Sequence, residues 1–332
     1  MQRLRASPVD GSAFRVLGVA AQAEGDHSSA MRLYGIAMRR NPRDARTRLW
    51  LADAALARGE IDSAMRNLDA ALRVDPDRSE PMLRRVLRSL ANPAIRKALG
   101  ARLVDEPAWR DRLPALLVGA DPGVAQQLLA ELSVRPLRPA ELESRISLLE
   151  TLGRPTEARA AWSAALPASA RLLDGRVFDG GFESGEGPEP YGWRLPSSPE
   201  VLVGLEASSV AQGRSALWVL VQGREIVLPD VSQRLVLAAG SYSLSVQANG
   251  MLTGSGRGFA WELSCRDDSL QLAKLALPKQ SAGWQSFAVQ LTVPPDCPMQ
   301  ILRLVHEGRN LSERSLTGRL GIDAIKILPE PG

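Results

Sequence analysis

Few side chains in this sequence can carry proton-transfer or nucleophilic chemistry, and those few are scattered. Its 332 residues include two histidines and two cysteines. His27 lies in the first half, while His306, followed by Glu307, lies in the second. No Gly-x-Ser-x-Gly, His-Glu-x-x-His, phosphate-loop or Cys-x-x-Cys pattern accompanies them. GSGRG (254–258) lacks the Lys-Ser/Thr and the following helix of a phosphate cradle, and reads as a hairpin loop. Glycoside hydrolysis needs two carboxylates facing one cleft. Glu183, Glu186 and Glu189 are close in sequence, but on a Gly/Pro-rich stretch that gives no rigid geometry. The expectation is a protein without catalysis.

Binding chemistry is better represented. Sugar rings stack on flat apolar faces, and planar polar groups take their hydroxyls. The second half holds Tyr191, Trp193, Trp218, Tyr242, Trp261 and Trp284. Trp218 and Trp261 lie in strand-like runs with apolar neighbours on both sides, and are the candidate platforms. Gln222, Arg303 and Glu307 are polar strand residues expected to line a cleft beside them. Cys265 and Cys297 allow a single disulfide, or two buried thiols. Cys265 ends a strand and Cys297 precedes the next but one, a placement that predicts the bridge and an oxidising compartment.

These residues sit in two different halves. The length suits two domains. No apolar run approaches the ~18–20 residues of a membrane span. MQRLRASPVD lacks the apolar segment of a signal peptide. Residues 1–172 carry 27 Lys+Arg against 20 Asp+Glu, or +7, and the remainder 14 against 17, or −3. The excess arginines are spread along helices rather than clustered, which predicts solvated helix faces and no nucleic-acid footprint.

GSAFRVLGVAAQAEGDHSSAMRLYGIAMRRNPRD (11–44) and ARTRLWLADAALARGEIDSAMRNLDAALRVDPDR (45–78) align without a gap at a period of 34. Gly25 matches Gly59, Ala30 matches Ala64, Ala37 matches Ala71 and Pro42 matches Pro76. The pattern resembles the tetratricopeptide repeat. Small residues at 18, 30 and 37 let two helices approach, Gly25 makes the turn, and Pro42 ends the second helix. Such a unit cannot bury its own apolar face, so copies must stack. The pattern fades after residue 78, but amphipathic helices continue, with breaks at NP, DEP and DPG, and a last pair spans 141–166. Residues 1–172 are therefore expected to form an α-solenoid of about five helix pairs. Pro8 lies 34 residues before Pro42, so residues 1–7 read as the end of an earlier helix. The array is expected to begin mid-repeat, leaving Leu4 on an exposed apolar stripe, with any targeting segment upstream. The resemblance implies a protein partner in the concave groove, at positions including Arg15, Gln22, Arg46 and Asp53; the two arginines would suit an acidic or C-terminal peptide.

After residue 176 the period changes from 3.6 to 2, and seven apolar runs between 201 and 328 read as about eight strands. VFDGGFESG…GW (177–193) resembles the opening strand of the carbohydrate-binding modules attached to xylanases, which have a galactose-binding-like jelly-roll fold. QGRSALWV, the 228–248 stretch with Ala239-Gly240 at a hairpin turn, GWQSFAVQLTVP and GIDAIKI follow in the family's order, covering 177–328. The resemblance implies glycan binding and assigns Trp193 and Trp284 to packing. It also implies a structural Ca²⁺ held by Glu183 and Asp323. The fold expected is thus a multidomain α + β chain, a helical solenoid followed by an antiparallel β-sandwich. Its expected role is a non-catalytic adaptor of the bacterial envelope or periplasm, with polysaccharide export as an example setting; a purely structural scaffold is the alternative, and a glycan hydrolase the second.

Overall fold

The computed structural model describes residues 10–133, 135–184, 187–207, 213–223, 226–266 and 270–330. The expected stripe around Leu4 and the helix end over residues 1–7 lie outside them. The chain divides into two compact units, residues 1–152 and 153–332.

The first unit is helical, with nine of the chain's described α-helices: α1 (Gly11–Ala23), α2 (His27–Arg40), α3 (Ala45–Ala57), α4 (Ile61–Val74), α5 (Pro76–Leu87), α6 (Pro93–Leu103), α7 (Leu113–Leu117), α8 (Pro122–Leu132) and α9 (Pro139–Thr151). A 3₁₀ turn, Ala108–Arg112, leads into α7. The repeat's small residues do what their spacing requires. Ala30 and Ala64 are wholly buried, and a Cβ on Gly18 would lie 2.9 Å from the Tyr34 ring. Gly25 and Gly59 both turn through positive φ, +79° and +72°, where a side chain would be strained. Short polar residues start the helices. Asp10, Asp26, Asp44, Asp75, Asn92 and Asp121 each accept a backbone N–H from the first turn and so satisfy one of its unpaired donors. The DEP break differs: no side chain caps the 3₁₀ turn that follows it.

The second unit begins earlier than the change of sequence period at 176 suggests. Helix α10 (Pro155–Ala165) and the single turn α11 (Ala168–Arg171) precede its strands. Trp162 of α10 is 1% exposed and meets Phe178 and Tyr191 edge-on, at 5.1 and 5.7 Å. Its indole N–H donates to the Pro188 carbonyl at 2.9 Å. The repeat-like helix is thus part of the sandwich's own packing, and the compact unit that holds the strands starts at Gly153.

Among the described residues nine antiparallel strands follow: β1 (Val201–Ala207), β2 (Ser215–Gly223), β3 (Ser232–Leu235), β4 (Gly240–Thr253), β5 (Phe259–Cys265), β6 (Gln271–Ala276), β7 (Gln285–Val293), β8 (Gln300–His306) and β9 (Leu316–Pro329). They form a five-stranded sheet, β1-β2-β9-β4-β7, and a four-stranded sheet, β3-β8-β5-β6. The inward residues of the two sheets, such as Leu217, Val219, Leu244, Trp261, Leu302 and Ile322, make one core.

Two expectations are corrected here. Residues 228–248 do not form a hairpin, because β3 and β4 belong to opposite sheets and the chain crosses between them after Leu235. Residues 177–184 do not form a strand. They are a run of turns, with Asp179 and Phe182 at positive φ, 44° and 55°. Gln233, 1% exposed, holds this run by bonding both the N–H and the carbonyl of Phe178 at 2.9 Å.

Candidate functional site

In the solenoid, the charged and amide groups of the expected groove are engaged with neighbouring repeats. Arg15 donates at 2.8 Å to Asp44, the residue that caps α3 of the next repeat, Gln22 accepts from the Trp50 indole, and Asp53 pairs with Arg85. Arg46 remains exposed on α3. The same kind of rung continues along the unit: Trp109 to Asp69 at 2.8 Å, Arg112 to Asp77 at 2.6 Å, Arg96 to Glu131 at 2.7 Å. The deepest is Arg110 with Glu141, 2% and 1% exposed, joined by two bonds of 2.5 and 2.6 Å. The groove residues read from the sequence are therefore mostly inter-repeat contacts. An apolar groove of about 500 Å³ lies between α7 and α9, walled by Leu117, Val118, Ala140 and Leu148.

In the sandwich, the two tryptophans read as platforms part company. Trp261 is fully buried between the sheets, 5.6 Å from Trp193, because β5 is an inner strand covered on both faces. It is core, and cannot meet a sugar. Trp218 lies on the outer face of the five-stranded sheet, since its neighbours Leu217 and Val219 point into the core. It is 7% exposed, with the Arg319 guanidinium 3.9 Å above its ring and Trp284 edge-on at 5.8 Å. Trp284, assigned to packing by the sequence, is the more accessible of the pair and only half-buried. Both rings reach over Gly321, where an added Cβ would sit 2.9 Å from each. Leu320 and Ile322 point inward, so the missing side chain of Gly321 is what opens the outer face to both rings.

Around this aromatic pair the outward positions of the sheet are amides and hydroxyls. Asn249 is paired with Gly321 across β4 and β9, Gln247 with Ser286 and Ser243 with Gln290 across β4 and β7. Gln222 is exposed on the same face, four residues along β2 from Trp218. Arg303 and Glu307 are not brought to this face. Arg303 is in the middle of β8 in the other sheet and Glu307 directly follows that strand; Arg303 pairs with Asp230 at 3.1 Å and Glu307 with Lys274 at 3.6 Å. Period-2 alternation shows which residues share a side of a strand, but not to which sheet the strand belongs.

Cys265 and Cys297 are joined in a disulfide, with their Cα atoms 5.6 Å apart. Glu183 and Asp323 come close around Gly181, whose Cβ would lie 3.8 Å from the Asp323 carboxylate and from the Glu183 side chain. The N–H groups of Arg214 and Ser215 bond Glu183 and, with Arg214 first, hold its carboxyl below the usual range. Asp323 is fully buried and accepts the Ala324 N–H. It is the Glu183 Cγ that lies beside Gly181, while its carboxylate is taken up by the 214–215 backbone; a calcium ion takes ~6–8 oxygen ligands. Among the described residues no third acidic, histidine or cysteine side chain joins them, so main-chain carbonyls or water would supply the rest. No described helix is long and apolar enough to cross a membrane.

A tetratricopeptide repeat model matches residues 21–90. None of the curated proteins matches the chain. Among solved structures, the chain is similar to a CBM4 structure, with 14% identity over 48% of this chain and 99% of that one, at a TM-score of 0.34. It is similar to TmCBM61 in complex with β-1,4-galactotriose, with 20% identity over 47% and 99% and a TM-score of 0.33. The CBM22-1–CBM22-2 tandem domain of Paenibacillus barcinonensis Xyn10C gives 13% identity over 47% and 50%, with a TM-score of 0.35. The chain thus joins a helical array with tetratricopeptide repeats at 21–90 to an antiparallel β-sandwich.

Proposed function

We propose that this chain is a non-catalytic binding protein of the cell envelope, with a repeat unit that docks a protein and a sandwich that binds a glycan. The observation that carries the glycan half is the Trp218–Trp284 pair over Gly321, set among outward amides and hydroxyls of the five-stranded sheet. An indole face supplies apolar contact to a pyranose ring, and fixed planar amides give directional hydrogen bonds to its hydroxyls. The motif order over 177–328 agrees with that reading. The disulfide suits an oxidising compartment such as the periplasm, and polysaccharide export is a setting that needs such an adaptor. A calcium ion at Glu183 and Asp323 would brace the turns of 179–184 against β9; added calcium is then expected to raise the sandwich's melting temperature, and Asp323→Asn to remove that rise.

An array of bacterial and plant polysaccharides tests the glycan reading. One class should be retained with a Kd between about mM and μM, roughly −4 to −8 kcal/mol, and left intact, without hydrolysis. The low exposure of Trp218 favours the rival reading, a sandwich that acts only as a protein-binding module. A silent array, together with a partner protein captured equally by wild type and Trp284→Ala, would establish that rival.

A further inference from the structure

On the four-stranded side of the sandwich, the segment 226–230 separates from the end of β8 and leaves a pocket of about 450 Å³. That is within the ~300–1,000 Å³ of small-molecule sites. Its polar walls are Asp230, Arg303, His306 and Arg314, with Leu228 and Val305 beside them. Asp230, the one carboxylate in the wall, is already shared by Arg303 at 3.1 Å and Arg194 at 3.0 Å. Half-buried Arg314 has no carboxylate partner among the described residues; its Nε makes only a long 3.5 Å contact with the Gly308 carbonyl. The His306 ring is fixed by the Gly308 N–H, which donates to Nδ1 at 2.8 Å. With Nδ1 accepting, the neutral ring carries its proton on Nε2, and this buried atom has no acceptor among the described residues. The two side chains share the pocket wall, and a Cβ on Gly308 would lie 2.7 Å from the His306 ring and 2.9 Å from the Arg314 Cγ.

A buried donor without an acceptor costs free energy, and a half-buried guanidinium without a counter-charge does so as well. A single anionic group would satisfy both. We propose that this pocket binds the carboxylate of an acidic sugar residue, through the Arg314 guanidinium and the His306 Nε2–H. The guanidinium fork matches a carboxylate in two parallel bonds, and the pocket has room for the ring that carries it. Burial, with the charge of Arg314 second, lowers the imidazole pKa and keeps it in the neutral form that this arrangement uses. The site is on the sheet opposite the Trp218–Trp284 face, so it is a separate subsite. That a sugar bears the carboxylate rests on the glycan reading above; the anion site itself does not.

The test is a titration of the whole chain with glucuronate, glucose, acetate and phosphate, followed by NMR of the histidine and arginine side chains. Glucuronate should bind and shift the His306 and Arg314 signals, acetate should bind at the same place at least about tenfold more weakly, and glucose should not shift them. Arg314→Met, and His306→Phe, which keeps a ring against Phe259, should each weaken glucuronate at least about tenfold with the fold retained. Equal binding of glucuronate and glucose, tighter binding of phosphate, or unchanged affinity in a folded Arg314→Met variant would each overturn the proposal. Neutral polysaccharide binding lost in Trp284→Ala while glucuronate binding persists would support both sites independently. Glucuronate binding with a silent polysaccharide array would sink the outer-face reading and leave this one standing.

Discussion

The two units use polar side chains in opposite ways. In the helical unit, Arg15, Asp53, Asp69, Arg96 and Arg112 reach across to a neighbouring repeat, and Arg110 with Glu141 does so out of reach of solvent. In the sandwich, the outward row of β4 and β7 carries Ser243, Gln247, Asn249, Ser286 and Gln290 on a face the core does not need. A stacked repeat is stable only through its interfaces, so a charged residue on its surface is first a rung between repeats. A sheet is held by its backbone ladder and its inner face, so side chains on the outer face are free to be selected for a ligand.

That difference gives effects of unequal size. The largest expected effect is in the solenoid. Glu141→Gln leaves the Arg110 charge buried and unpaired, and should cost the helical unit about 3–5 kcal/mol, read as a lower urea midpoint for its transition. Replacing both partners by apolar residues should recover most of that loss; a Glu141→Gln cost below about 1 kcal/mol would mean the pair behaves like a surface bridge. Next comes the disulfide. Its sequence separation of 32 implies about 3–4 kcal/mol in the chain-entropy treatment, so reduction should lower the sandwich melting temperature and leave the solenoid transition in place. The smallest effect is one of pH. His306 is held below the usual histidine pKa by burial and by Arg314, with Glu307 opposing. Its unfolded form therefore takes up a proton first as pH falls. The stability it contributes is present above the unfolded value of ~6.5 and declines as pH drops toward the folded value, where the decline levels off. His306→Phe should flatten that part of the sandwich's stability–pH curve.

Much of the architecture was legible because it rests on spacing. The period of 34 placed Gly25 and Gly59 at left-handed turns and Ala30 and Ala64 at wholly buried positions. The strand runs at 201–207, 216–223, 258–267 and 284–294 match β1, β2, β5 and β7 to within a residue or two. Strand β6 was missed because QLAKLA has helix-forming residues; its pairing with β5, at Trp261 with Leu275 and Glu262 with Lys274, overrides that preference. The candidate site was less legible. Trp218, Trp261 and Trp284 all stand beside apolar residues, and only sheet membership and the vacancy at Gly321 separate core from surface. His306 and Arg314 are brought together by the glycine at 308 and by a segment 80 or so residues earlier in the chain, which no local pattern reveals.

The proposed glycan surface on the outer face of the five-stranded sheet centres on Trp284 and Trp218. It is tested most directly by affinity electrophoresis of wild type and Trp284→Ala in gels containing the polysaccharide that the array identifies. The account expects wild type to be retarded, and Trp284→Ala to run as in a gel without polysaccharide while keeping its melting transition. Equal retardation of a folded Trp284→Ala variant would contradict it.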